Sequence, residues 1–166
     1  MNSTAYVAVP VMIVLAVLQS AVFPFFTILG FVPLFPFLVS LAWGLLRGAN
    51  EGVVWAFVAG FFLDLFSTTP MGTSSIGFMT AVFIVVAISQ LFPGNPFFLP
   101  ILQAIVATLI FLFVHLLLLR FLGHSFSFES IFSLLPIAFL HGILILPIYW
   151  LLRLVNQMIQ PRRVKI

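Results

Sequence analysis

The sequence predicts an all-α integral membrane protein, a six-transmembrane-helix bundle that forms a single domain over residues 1–166. Of these residues, 64% are hydrophobic and only 5% are charged, and the mean hydropathy is +1.36. A soluble domain needs far more polar surface than this composition supplies, so the surrounding solvent is a bilayer. The apolar runs are continuous instead of alternating with polar residues, which favours helices over the strands of a membrane barrel.

Turn and cap residues divide the chain into predicted helices over residues 6–23, 33–47, 51–66, 70–91, 96–120 and 128–158. Asn50, Asn95 and Ser127 are the predicted N-caps of helices 3, 5 and 6, and Thr69-Pro70 is predicted to open helix 4. No basic side chain precedes the first helix, which runs directly into more membrane sequence. We therefore expect a retained helix and not a cleaved signal peptide.

The second predicted helix is shorter than the ~20 residues that a full membrane span requires. Pro33 and Pro36 lie at its start, where a missing N–H costs no internal hydrogen bond. Three explanations remain open from the sequence. The helix is tilted in a thinned bilayer, or it is shielded by neighbouring helices, or a membrane-embedded loop precedes it.

The basic residues predict the orientation. Six spans place both termini on one side of the membrane. If that side is the cytoplasm, Arg120 faces outward and the remaining basic residues face inward, namely Arg47, Arg153, Arg162, Arg163 and Lys165. This bias agrees with the positive-inside rule. Six scattered basic side chains do not form a nucleic-acid patch, and the absence of cysteine excludes disulfides.

Small residues recur at every fourth position around the third predicted helix. Gly44, Gly48, Gly52, Ala56 and Gly60 form this row, and Asp64 continues the same spacing. Residues four apart lie on one face of a helix, and a small-residue face allows a second helix to approach closely. The residues predicted to make helix-packing or partner contacts are Gly52, Ala56, Gly60, Asp64 and Gly72.

Asp64 is the most informative single residue, because a carboxylate at membrane depth needs a partner or access to water. We predict that it lies near the outer boundary. It could bond to Ser67, Thr68 or the backbone of the following turn. Alternatively, it could form an ion pair with Arg120, the one outward cation, or contact a ligand or partner.

The other polar side chains have structural interpretations that are simpler than functional ones. Arg47 and Glu51 are four residues apart, which indicates a solvated or headgroup-facing ion pair, with a cytoplasmic partner contact as the alternative. His115 and His141 are expected to form interhelical hydrogen bonds, because no third metal ligand is evident. His124 lies in a loop and has no assigned role.

The spacing of nucleophiles and acids argues against an enzyme. An aspartyl dyad needs two neighbouring carboxylates, whereas the chain has one Asp and its glutamates lie near opposite membrane faces. The sequence contains no HExxH metalloprotease motif. The segment from Gly72 to Gly77 does not fit a G-x-S-x-G nucleophile motif. We therefore expect no catalysis, no cofactor and no metal.

The central stretch resembles the MreD family of bacterial rod-shape-determining membrane proteins. The resemblance rests on Gly52-x3-Ala56-Phe57-x2-Gly60-x3-Asp64, followed by Gly72 after a short outer turn. The proline-rich entry to helix 2 is also similar, as are the length, the six spans and the basic tail. Ala56 stands where the family pattern has Gly, and this small-for-small change keeps close packing feasible.

The resemblance implies a partner role in the bacterial inner membrane. The protein would bind the bitopic scaffold MreC and join the elongation complex with an actin-like filament protein, a glycosyltransferase and a transpeptidase. The family is also similar in fold to substrate-binding subunits of energy-coupling-factor transporters. The rival hypothesis is therefore a vitamin-binding transporter subunit, although the outer half has few polar groups to orient a ligand.

Overall fold

The computed structural model describes residues 3–28, 30–91, 98–123 and 134–159, and within these ranges the protein is helical with no strand. The helices are α1 (Ser3–Ala21), α2 (Phe35–Arg47), α3 (Ala49–Leu65), α4 (Thr73–Leu91), α5 (Phe98–Phe121) and α6 (Leu135–Ile159). A short 3-10 helix, Phe23–Phe25, follows α1. Four segments are long and apolar enough to cross a membrane: Tyr6–Phe25, Thr73–Leu91, Phe98–Phe121 and Leu135–Met158. The structure thus confirms the predicted all-α membrane class.

The short helix α2 lies at the centre of the bundle. It packs against all five other helices, whereas α3 lies between α1 and α4, and α5 lies between α4 and α6. Nearly every residue of α2 from Pro36 to Gly44 is buried. A helix enclosed by protein presents little surface to lipid, so its length does not have to match the bilayer.

Three phenylalanine rings form the middle of the core. Phe37 of α2 lies 4.9 Å from Phe78 of α4 and 5.5 Å from Phe111 of α5, measured between ring centroids. Phe78 and Phe111 are also 4.9 Å apart, in an edge-to-face arrangement. Tilted and edge-to-face pairs of this kind stabilise a core beyond simple burial. Gly77 makes room for this packing, because a Cβ there would lie 2.9 Å from the ring of Phe111.

The backbone that enters α2 is held by side chains from α1 and α6. The side-chain amide of Gln19 donates to the carbonyl of Pro33 (3.0 Å), and its oxygen accepts from the N–H of Phe35 (3.1 Å). The N–H of Leu34 donates to Nε2 of His141 (3.0 Å). Non-helical backbone at membrane depth is tolerated where protein supplies such partners. Together with the burial of α2, these contacts agree with the second and the third explanation for the short helix, because it is shielded by its neighbours and is preceded by a loop that they hold.

The hydrogen bonds of His141 define its tautomer. Because Nε2 accepts from Leu34, the proton lies on Nδ1, which donates to the Thr108 hydroxyl at 2.9 Å. That hydroxyl donates in turn to the carbonyl of Ala104 (2.7 Å). His141 is completely buried. A histidine buried in this way links α2, α5 and α6.

Several predicted helix boundaries differ from the structure. The third helix begins at Ala49 after Gly48, whose φ of 102° closes the turn, so Asn50 lies in the first helical turn instead of capping it. The fourth helix begins at Thr73, and Pro70 belongs to the preceding turn. The predicted caps Asn95 and Ser127 lie outside the described residues.

Candidate functional site

The first part of the small-residue row, from Gly44 to Gly52, joins α3 to α2. A Cβ added to Gly52 would lie 2.6 Å from the Cα of Gly44, and 3.1 Å from a methyl group of Val82 on α4. Atoms this close would overlap, so the two helices are in backbone contact at this point. The sharp turn at Gly48 brings the two glycines together from adjacent helices.

The second part of the row, Ala56 and Gly60, joins α3 to α4. A Cβ added to Gly60 would overlap the backbone of Ser74 and Ser75 at the start of α4. Ala56, between the two contacts, is completely buried. The hydroxyl of Ser75 donates to the carbonyl of Phe57, which adds a hydrogen bond of 3.5 Å across the same interface. The row therefore faces other helices of its own chain.

Asp64 extends this interface and caps the N-terminus of α4. Its side chain is 3% exposed. The Oδ2 atom accepts from the N–H groups of Gly72 (2.8 Å), Ser74 (3.1 Å) and Ser75 (3.5 Å), and Oδ1 lies 3.2 Å from the Ser74 nitrogen. The first N–H groups of a helix lack internal partners and carry partial positive charge. A carboxylate from α3 thus accepts hydrogen bonds from N–H groups at the start of α4 that have no partner within their own helix.

The turn between α3 and α4 is fixed by further short-range bonds. The hydroxyl of Ser67 donates to the carbonyl of Asp64 (3.3 Å) and lies 2.6 Å from the hydroxyl of Thr69. The Thr73 hydroxyl donates to the carbonyl of Pro70 (2.8 Å). Gly72 has a φ of 93°, a conformation that favours glycine and directs its N–H toward Asp64. We call this arrangement of Asp64, the turn and the start of α4 the Asp64 junction.

The structure distinguishes among the alternatives for Asp64. Its carboxylate bonds the backbone of the helix that follows the outer turn. Arg120 lies exposed in the last turn of α5, and within the described ranges the ion pair that forms is Arg47 with Glu51. N–H groups, and not Arg120, therefore satisfy the Asp64 carboxylate.

His115 of α5 also lies at the Asp64 junction, which sequence reasoning did not predict. Its imidazole lies near the backbone of Thr73 and the carboxylate of Asp64. Its Nδ1 is buried without a hydrogen-bond partner among the described residues. His115 and His141 thus serve separate contacts. Helical rise alone could not reveal this, because it fixes depth and not the direction of a side chain.

At the opposite end of α3, a second polar cluster surrounds Arg47. The Nε of Arg47 lies 3.4 Å from Oε2 of Glu51, and the same oxygen accepts from the indole N–H of Trp43 (3.1 Å). Arg47 lies over the Trp43 ring, 5.6 Å from its centroid. Trp43 in turn stacks on Trp55 at 4.7 Å. The sequence predicted the ion pair, but not the tryptophans that hold it.

These two clusters can hold helices together, and neither has the geometry of a catalytic or metal centre. Within the described ranges, no group of three or more His, Cys, Asp or Glu side chains is placed to hold a metal ion. Ser74 and Ser75 are buried at the contact between α3 and α4. The contacts of the Asp64 junction fix α3 against α4.

In the comparison with known protein families, the family model described as rod shape-determining protein MreD matches residues 1–159. Neither the search of curated proteins nor the search of solved structures found a match.

Proposed function

Because the chain belongs to the MreD family of rod shape-determining proteins, we propose that it is a non-enzymatic scaffold of the bacterial cell-elongation machinery. In this role it binds the bitopic scaffold MreC in the inner membrane. Through MreC it helps to organise peptidoglycan synthesis, together with an actin-like filament protein, a glycosyltransferase and a transpeptidase. Both chain termini lie in the cytoplasm.

The observation that carries this proposal is the match over residues 1–159, a range that includes both polar clusters. The buried polar groups agree with a structural role. Asp64 caps α4, and His141 and Gln19 hold the entry to α2. Side chains engaged in this way stabilise a rigid bundle, and a scaffold needs a rigid surface for its partner.

Affinity purification of the tagged chain in mild detergent tests the proposal. We expect MreC to be recovered with the protein. As a matched control, Gly60→Leu should reduce the amount of folded protein and of MreC in proportion, since Gly60 contacts α4 of the same chain. Recovery of an ATPase module with a bound vitamin, and no MreC, would instead identify a subunit of an energy-coupling-factor transporter.

A further inference from the structure

The tryptophans and tyrosines of this chain all lie toward one end of the bundle. The structure describes all three Trp and both Tyr, and their depth follows from the hydrogen bonds at the entry to α2. Gln19 bonds Phe35, and Leu34 bonds His141, so α1, α2 and α6 share one level there. Earlier residues of α1 and later residues of α2 and α6 lie progressively farther from that level, toward the same end of the bundle. Trp55 of α3 stacks on Trp43 and lies with it. The five residues toward this end are therefore Tyr6, Trp43, Trp55, Tyr149 and Trp150.

The same counting places two arginines in one plane. Arg47 follows Leu34 by thirteen residues, and Arg153 follows His141 by twelve. At about 1.5 Å per residue, both lie roughly 18–20 Å from the shared level. Tyr6 precedes Gln19 by thirteen residues and reaches the same depth. Tryptophan and tyrosine concentrate where the membrane meets water, so this plane, which we call the Arg47 end, lies among lipid headgroups.

The Arg47 side chain is held with part of its hydrogen-bonding capacity unused. Glu51 approaches Nε, and the ring of Trp43 lies under the guanidinium. The two terminal amino groups of Arg47 form no hydrogen bond with any described residue, and the side chain is 14% exposed. These amino groups make the fork with which arginine binds a phosphate through two parallel bonds.

Trp55 supplies a second, independent observation in the same cluster. Its ring is 3% exposed and stacks on Trp43. Its indole N–H is nevertheless buried without a partner among the residues that the structure describes. A buried donor without a partner is costly in an apolar environment. Trp55 lies about 9 Å deeper than the start of α3, so its contribution is to support Trp43 from below, and the donors that face the headgroup plane are those of Arg47.

We infer that the Arg47 end binds the phosphate of an anionic phospholipid headgroup, with the guanidinium of Arg47 as the main contact. Arg153, which lies over Trp150 at 5.0 Å in the same plane, adds a second positive charge and favours an anionic over a zwitterionic headgroup. Glu51 fixes the orientation of Arg47. Its negative charge also lowers the positive potential that Arg47 presents to a phosphate. This inference concerns lipid and does not depend on the proposed MreC partner.

Native mass spectrometry of the full chain in detergent tests the inference, with dihexanoyl phosphatidylglycerol and dihexanoyl phosphatidylcholine as probes. We expect the wild type to prefer phosphatidylglycerol. Arg47→Gln should weaken phosphatidylglycerol binding about fivefold, the effect of one basic residue near a charged membrane surface. Arg120→Gln, which removes the same charge at the other end, should leave binding unchanged.

Glu51→Gln makes the test independent of folding defects. It keeps the shape of the side chain and removes the charge that opposes the phosphate, so phosphatidylglycerol binding should become tighter. Equal loss of binding in Arg47→Gln and Arg120→Gln would overturn the inference, and so would a wild-type preference for phosphatidylcholine. Displacement of the lipid by millimolar inorganic phosphate would show a site for free anions and would also overturn it.

Discussion

At the scale of single residues, the buried polar side chains act as caps for backbone that would otherwise lack partners. Asp64 accepts three N–H groups at the start of α4, and His141 accepts the N–H of Leu34. In a bilayer, no water replaces such a bond when it is lost. The effect of substituting these residues is therefore expected to appear in stability, and only through stability in function.

Asp64→Asn removes the charge of the cap and keeps its size. One side-chain oxygen becomes an NH2 group, which faces N–H donors and cannot accept from them. We expect a loss of about 1–2 kcal/mol in the free energy of unfolding, because hydrogen bonds to a charged acceptor are stronger than those to a neutral one and a buried N–H loses its acceptor. Thermal unfolding in detergent measures it. Arg120→Gln is the control, and an equal loss in that variant would restore the ion-pair hypothesis.

His141→Leu removes both acceptor and donor from the buried network. The N–H of Leu34 then remains buried without a partner, which costs about 1–3 kcal/mol. Thr108→Val keeps the Leu34 bond but leaves the buried Nδ1–H of His141 without its acceptor, so a loss in the same range is expected. Chemical unfolding of the two variants in the same detergent shows which of them loses more free energy of unfolding. A larger effect of Thr108→Val would mean that the Leu34 bond contributes little.

At the scale of helices, the main feature is the close contact of α3 with both α2 and α4. Gly52 meets Gly44, and Gly60 meets the backbone at Ser74 and Ser75. Packing between membrane helices gains little from the hydrophobic effect, because lipid is equally apolar. Close backbone approach and the Asp64 cap therefore carry much of the specificity of this interface.

Gly60→Ala tests the contact between α3 and α4 with the smallest side chain available. The added methyl group would overlap main-chain atoms, which cannot rotate away as a side chain would. We expect about 1–3 kcal/mol of destabilisation and a lower amount of protein in the membrane. Phe61→Leu is the matched control, because Phe61 is 41% exposed on α3. Normal stability of Gly60→Ala would show that the helices separate easily here.

At the scale of the whole molecule, sequence reasoning predicts the all-α membrane class better than the arrangement of the helices. Long apolar runs and turn residues identify helices because both signals are local. The central position of α2 and the stacking of Trp43 on Trp55 depend on which side each helix presents to its neighbours. The sequence leaves several partners open for Asp64. Residue spacing places the carboxylate near the next turn, but it does not identify which group donates to it.

The predicted orientation can be measured directly on the intact molecule. Basic residues favour cytoplasmic termini, and depth counting places Tyr6 of α1 and Arg153 of α6 at one end. A reporter that works only in the cytoplasm should be active when fused after Ile166. A reporter that works only outside the membrane should be active when inserted at His124. The reverse pattern would overturn the orientation, and activity of both types at one position would overturn the six-span topology.

The bond between Leu34 and His141 joins residues 107 positions apart, and this separation has a consequence for biosynthesis. The ribosome releases α2 long before α6 exists, so the nascent chain must keep the Leu34 N–H near water or an insertion factor until the last helix arrives. A chain truncated after residue 123 should therefore be degraded rapidly in pulse-chase experiments. A separately expressed segment containing α6 should extend its lifetime, because that segment completes the central helix.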